Sequence, residues 1–153
     1  MSLEEAGLNG LPRPGVYAEH ELRISELLTS LPRIYESGNA GAVAIFLGVA
    51  RRESRTGKDV KYLEIEAYEE NANLEINKIC REVSEKHGAS YVGIWHLHGR
   101  FNPGEPVVLV VVAARQRAAA FNALREAVER YKKEPALFKK EIYADGTHVW
   151  VTE

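Results

Sequence analysis

Apolar residues recur along this chain in two rhythms, one with the period of a helix and one with the period of a strand. Ile24, Leu27, Leu28 and Leu31 fall at i, i+3, i+4 and i+7, predicting a short helix that Pro32 ends or interrupts. Residues 41–50 (GAVAIFLGVA) are a nearly continuous apolar run of strand length, and residues 51–59 then turn abruptly polar and positive. Residues 60–68 alternate, with Tyr62, Glu64, Glu66 and Tyr68 on one face and Leu63, Ile65 and Ala67 on the other. These two strands are expected to pair across the basic loop. Ile76, Ile79, Cys80 and Val83 mark a helix over 69–87, with Gly88 placed for a left-handed C-terminal cap. Residues 91–98 read as a strand, and Asn102-Pro103-Gly104-Glu105 has the proline and glycine of a type II turn. The wholly apolar run 107–112 beyond it predicts a central strand. Phe121, Leu124, Val128 and Tyr131 lie on one side of a second long helix from Arg117, expected to stop near Glu134 because Pro135 disfavours helix before it. Asp145-Gly146 signals a hairpin between 141–144 and 148–151.

The order of elements is helix, strand, strand, helix, strand, strand, helix, strand, strand. Mixed strands with two long helices on one side predict an α+β sandwich rather than a doubly wound parallel sheet. Gly7, Gly10, Pro12, Pro14 and Gly15 suggest a flexible lead over 1–15, followed by one domain over 16–153. A chain of 153 residues that is 45% hydrophobic suits one core.

The formal charge of −2 gives no global field toward nucleic acid or an acidic membrane, so any anion site must be a local concentration of basic groups. No stretch approaches the roughly 18 apolar residues of a membrane span, and no basic start leads into an apolar signal region, which points to a cytoplasmic protein. The single cysteine, Cys80, lies in the buried stripe of its helix and cannot form an internal disulfide. If this protein handles sulfur, the sulfur arrives on something else. Glycine-rich phosphate loops and a Ser, His and Asp catalytic motif are both missing.

Basic residues carry the candidate chemistry. Lys132-Lys133 and Lys139-Lys140 stand seven residues apart on either side of Pro135, where a turn lets them face a common space. Such a space suits an anion, a carboxyl terminus or an amine-assisted acyl reaction, and either Lys132 with Lys139 or Lys133 with Lys140 keeps the spacing. Lysines in a helix's last turn also complement its dipole without further function. Arg51, Arg52 and Arg55 follow the first strand, while Arg115 and Arg117 stand at a helix start, where cations oppose the dipole unless an anion binds there. His96 and His98 share a strand face and read as structural histidines, an anion contact near Arg100, or two metal ligands. A third ligand is not evident, so neither a metal nor a cofactor is expected.

Several motifs occur in a specific order: Gly41-Ala42-Val43 running into Phe46-x-Gly48-x-x-Arg51, Leu63-Glu64-Ile65-Glu66-Ala67-Tyr68, and His96-x-x-Gly99 with Pro103-Gly104-Glu105. Arg117-Ala118-x-Ala120-Phe121, Lys132 and Phe138-Lys139-Lys140-Glu141 complete them. With these, residues 41–151 resemble the large, catalytic subunit of molybdopterin synthase. The resemblance implies an α/β hammerhead-type fold and a homodimer carrying a small ubiquitin-like sulfur-carrier subunit at each end, a heterotetramer. It implies that the carrier's C-terminal Gly-Gly tail, as a thiocarboxylate, gives sulfur to cyclic pyranopterin monophosphate to form the molybdopterin dithiolene. Lys132 and Lys139 fall on the family's catalytic lysines, Lys139 beside the substrate and Lys132 meeting the tail. Arg51 and Arg117 fall on its anion-contacting arginines, and His96 and Lys140 are carried over as substrate contacts. This chain has Gln116-Arg117 where the family usually has His-Arg, His96-Leu97-His98-Gly99 for His-Arg-x-Gly, and Phe138 for Trp. Gln116 cannot titrate, so acid or base chemistry at that position is lost. The alternative is a non-catalytic binding module for a nucleotide or phosphorylated metabolite, and a homodimeric scaffold with solvated cations is the third reading.

Overall fold

Two sub-sheets meet along one long strand, and the junction between them positions the candidate site. The computed structural model describes residues 10–151. Its strands are β1 (Gly15–Ala18), β2 (Ala42–Val49), β3 (Val60–Ala67), β4 (Tyr91–Phe101), β5 (Pro106–Ala114), β6 (Leu137–Tyr143) and β7 (His148–Val151). The helices are α1 (Ile24–Ser30), α2 (Pro32–Tyr35), α3 (Glu69–His87) and α4 (Arg117–Tyr131). The seven-stranded sheet runs β2-β5-β4-β3-β6-β7, with β1 added to β4. Every pairing is antiparallel except β1 with β4, giving the expected α+β architecture.

β5 is the central strand that its unbroken apolar run predicts, buried from Val107 to Ala114 and flanked by β2 and β4. β4 pairs with β5 along Tyr91 to His96, with β1 along Trp95 to His98 and with β3 along Gly99 to Phe101. Gly99, at the changeover, has φ +129°, which only glycine adopts readily. The expected pairing of β2 with β3 is not what forms. β2 is drawn to β5, and the basic loop closes on itself, with Val60 N–H donating to Arg52 O at 2.7 Å. β3 lies between β4 and β6 instead.

α3 and α4 pack side by side on the sheet, α3 through Ile76, Ile79, Cys80 and Val83. α3 ends on Gly88 with φ 66° and ψ 30°, the predicted left-handed cap. α4 buries Ala120, Ala123, Ala127 and Tyr131, with Leu124 and Val128 packed against the core at its margin; of the expected stripe only Phe121, 64% exposed, points away, and alanines fill the centre of the buried face. Small side chains let the helix lie close to β2 and β5. α4 also stops three residues short of Glu134. Lys132 caps it, and Arg130 O accepts from the Lys133 and Glu134 amides at 3.1 and 2.9 Å.

The lead differs too. Leu11 is buried, Trp95 Nε1 donates to Pro12 O at 3.0 Å, and Val16 N–H donates to Asn73 Oδ1 at 2.8 Å, so the chain is packed onto the domain from Gly10 onward. The rest of the suggested lead, residues 1–9, lies outside the described residues. No helix among the described residues is long and apolar enough to cross a membrane.

Candidate active site

A cleft of about 340 Å³ opens where the end of β2, the basic hairpin, the C-terminal end of α4 and β6 converge. Leu63, Val107 and Val108 contribute apolar wall, and Arg51, Arg55, Lys132 and Lys139 bring positive charge. Among the described residues Glu141 is the one carboxylate lining it, and its Oε1 accepts from the Tyr143 hydroxyl at 3.0 Å.

Local sequence explains each placement. A Cβ on Gly48 would lie 2.4 Å from Val108 Cγ1, so only glycine lets β2 approach β5 this closely. The register then shifts between Gly48 and Val49, an irregularity that redirects the chain just before Arg51. Lys132 reaches the cleft because the helix stops there. Strand alternation separates the next two lysines, and Lys139 lines the cleft. Lys140 faces the other way, 3.3 Å from Glu64 Oε2 and 5.3 Å over the Trp150 ring. Arg100 holds the same Glu64 at 2.6 Å, and that bond, more than Lys140, lowers the Glu64 pKa. Of the two lysine registers, the fold therefore brings Lys132 and Lys139 together and leaves Lys133 and Lys140 outside.

His96 is wholly buried behind the cleft, its ring 5.5 Å from that of Tyr131, edge to face. Leu97 O can only accept, so His96 Nδ1 carries the proton in their 2.9 Å bond and Nε2 holds a buried lone pair with no hydrogen-bond partner among the described residues. Burial, and next the charge of Lys139, push its pKa down to about 3. A neutral imidazole thus underlies the cleft without lining it. Arg117 is exposed at the opposite end of α4, roughly 20 Å along the helix axis from Lys132.

His98 does not join His96. Its Nε2 lies 2.9 Å from Glu69 Oε1, and Glu21, Glu69 and His98 bring ligand atoms within 4.8 Å of one another outside the cleft. Sequence inspection missed this group because its members come from three separate segments. Cys80 is buried in the core, where desolvation pushes its thiol up to about 12, so it stays protonated and unreactive.

Comparison with known proteins bears on the family and the fold. A family profile described as MoaE protein matches residues 18–134. The chain is 34% identical over 131 residues to a molybdopterin synthase catalytic subunit of Dictyostelium discoideum, a match covering 82% of each chain. Its fold is similar to that of molybdopterin synthase from Staphylococcus aureus, with a TM-score of 0.76 at 28% identity over 91% of this chain and 96% of that one. A protein–protein complex of subunits 1 and 2 of molybdopterin-converting factor from Helicobacter pylori shares the fold at a TM-score of 0.70, 20% identity and 86% of each chain.

Proposed function

The chain belongs to the MoaE protein family, and from that premise we propose that it is the catalytic subunit of a molybdopterin synthase. It takes sulfur from the thiocarboxylated C-terminus of a small carrier subunit and places it on cyclic pyranopterin monophosphate in the cytoplasm. The observation that carries this reading is the convergence of Arg51, Lys132 and Lys139, distant in sequence, on one cleft with apolar walls.

In that cleft the carrier's tail and the pterin meet as two anions. The thiocarboxylate sulfur adds to an oxygen-bearing side-chain carbon of the pterin, whose oxygen leaves as water, giving a thioester. A second water then adds to the acyl carbon and the acyl carbon–sulfur bond breaks, releasing the carrier's carboxylate and leaving a thiolate on the pterin. Charge develops at the acyl oxygen during departure. Lys139 stands beside the pterin and Lys132 beside the tail, where fixed positive groups stabilise that charge better than mobile water does. Arg51 holds the substrate anion. His96 supports the cleft floor through Tyr131, and its neutrality adds no repulsion to the cations above. Lys140, engaged with Glu64 and Trp150, contributes from outside the cleft by fixing β3 to β6 and β7.

The protein partners are the carrier and a second copy of this chain, assembling as a heterotetramer. β2 is an edge strand with Ile45, Leu47 and Val49 exposed on one face beside the cleft, and such edges are places where another chain docks.

Incubating the chain with thiocarboxylated carrier and cyclic pyranopterin monophosphate is expected to yield the dithiolene. Saturable binding without turnover would instead identify a binding module. Lys139→Ala, folded and still binding carrier, is expected to lower kcat by about a hundredfold or more, the usual effect of removing a group that stabilises developing charge. Turnover at the normal rate in that variant would exclude the catalytic role of Lys139.

A further inference from the structure

We propose that Arg55 joins Arg51 in holding the phosphate of the pterin, a specificity-determining contact that rests on the synthase reading above. Arg55 sits in Ser54-Arg55-Thr56-Gly57-Lys58, the tip of the hairpin that follows β2. Gly57 N–H donates to Ser54 O at 3.0 Å, Ser54 N–H donates to Lys58 O at 2.9 Å, and Gly57 has φ +84°. That is a three-residue loop closed by a left-handed glycine, with Arg55 at its first position.

The tip is fixed from both sides. The buried Ser54 hydroxyl accepts the Lys58 amide at 3.0 Å and lies 3.0 Å from Thr56 Oγ1. Lys58 Nζ reaches Asp145 Oδ2 at 3.3 Å and stands 5.0 Å over the Tyr143 ring, tying the hairpin to the β6–β7 turn. A restrained backbone lowers the entropy lost when the Arg55 side chain engages a ligand.

Arg51 and Arg55 line the same cleft, and among the described residues neither guanidinium has an ion pair or a hydrogen bond. Arg100 and Arg130, by contrast, each hold a carboxylate at 2.6 Å. A thiocarboxylate tail at the lysines carries one negative charge and leaves the arginine pair uncompensated. Two guanidinium forks match a phosphate group, which presents several acceptor oxygens to bidentate donors.

The test is steady-state kinetics of Arg55→Ala in the assembled complex. The KM for the pterin is expected to rise at least about tenfold, the loss of one charge-assisted contact, with kcat within about twofold and the carrier's KM unchanged. Arg55→Lys restores only part of the loss, because a point charge lacks the fork. Arg52→Ala, removing a neighbouring exposed charge outside the cleft, is expected to behave as wild type. An unchanged pterin KM in Arg55→Ala, a rise in the carrier's KM instead, or an equal effect from Arg52→Ala would each overturn the proposal. Wild-type protein that makes no dithiolene defeats the synthase reading and this inference with it; wild-type turnover with an indifferent Arg55→Ala defeats this inference alone.

Discussion

At the residue scale, His96 ties stability to pH. Its pKa is about 3 when folded, against 6.5 for the ordinary group, so between those values the unfolded chain binds a proton that the folded chain refuses. The sign follows: the contribution is complete above about pH 6.5 and is lost as pH falls toward 3, at up to about 1.4 kcal/mol per pH unit. Urea titrations at pH 7 and pH 5.5 are expected to show wild type losing about 1–2 kcal/mol more than His96→Asn over that interval. Equal losses in the two proteins would assign the pH dependence to other groups. The same scale shows what was legible in single residues. The residue types in the lysine pairs were plain, but which lysine of Lys139-Lys140 faces the cleft depended on strand register, and a one-residue slip reverses every side chain. The histidine pair misled for a related reason, since sharing a face does not give two residues the same depth. His96 is buried and His98 reaches the exposed Glu69.

At the element scale, periodicity and turn chemistry placed most elements and the buried stripe of α3, while the start of β6, at Leu137 rather than 141, and the partners of the strands did not follow from them. α4 began at Arg117 as expected, and Leu124, Val128 and Tyr131 marked its packed side, yet the residues at the centre of that side are Ala120, Ala123 and Ala127, and Phe121 points away. A helix lying close on a sheet takes alanines at the line of nearest approach and larger residues at its margins. Ala127 is fully buried one turn before Tyr131, the residue that covers His96 and lines the cleft. Ala127→Leu is expected to destabilise the fold by about 1–3 kcal/mol through overpacking. Because the strain falls beside Tyr131 and Lys132, activity measured well below the melting temperature should also decline. A variant as stable as wild type by chemical denaturation would show that α4 has room the packing does not suggest. The β2–β3 pairing failed at this scale because local alternation identifies strands but not neighbours. β5, apolar on both faces, needed partners along both edges and took β2 for one of them.

At the scale of the whole molecule, the convergence of positions 51, 132 and 139 was foreshadowed by motif order, and the place of Arg117 was not. Helix length decides that point, since about 20 Å of α4 separates Arg117 from Lys132 within one chain. If Arg117 serves the same pterin, it does so in a cleft belonging to a second copy, across a two-fold interface in which each chain gives and receives the same residue. Complementation distinguishes this from a purely structural Arg117. Lys139→Ala and Arg117→Ala chains, each poorly active alone, would on mixing form hybrid dimers with one site carrying both native residues and one carrying neither. Random assortment makes half of the dimers hybrid, so activity should return to about a quarter of wild type. A mixture no more active than the average of its two parents would confine the site to a single chain and leave Arg117 outside the reaction. Recovery would show that the cationic cleft described in one chain is completed by the N-terminal end of α4 in its partner, where an anion also relieves the unfavourable arginine at a helix start.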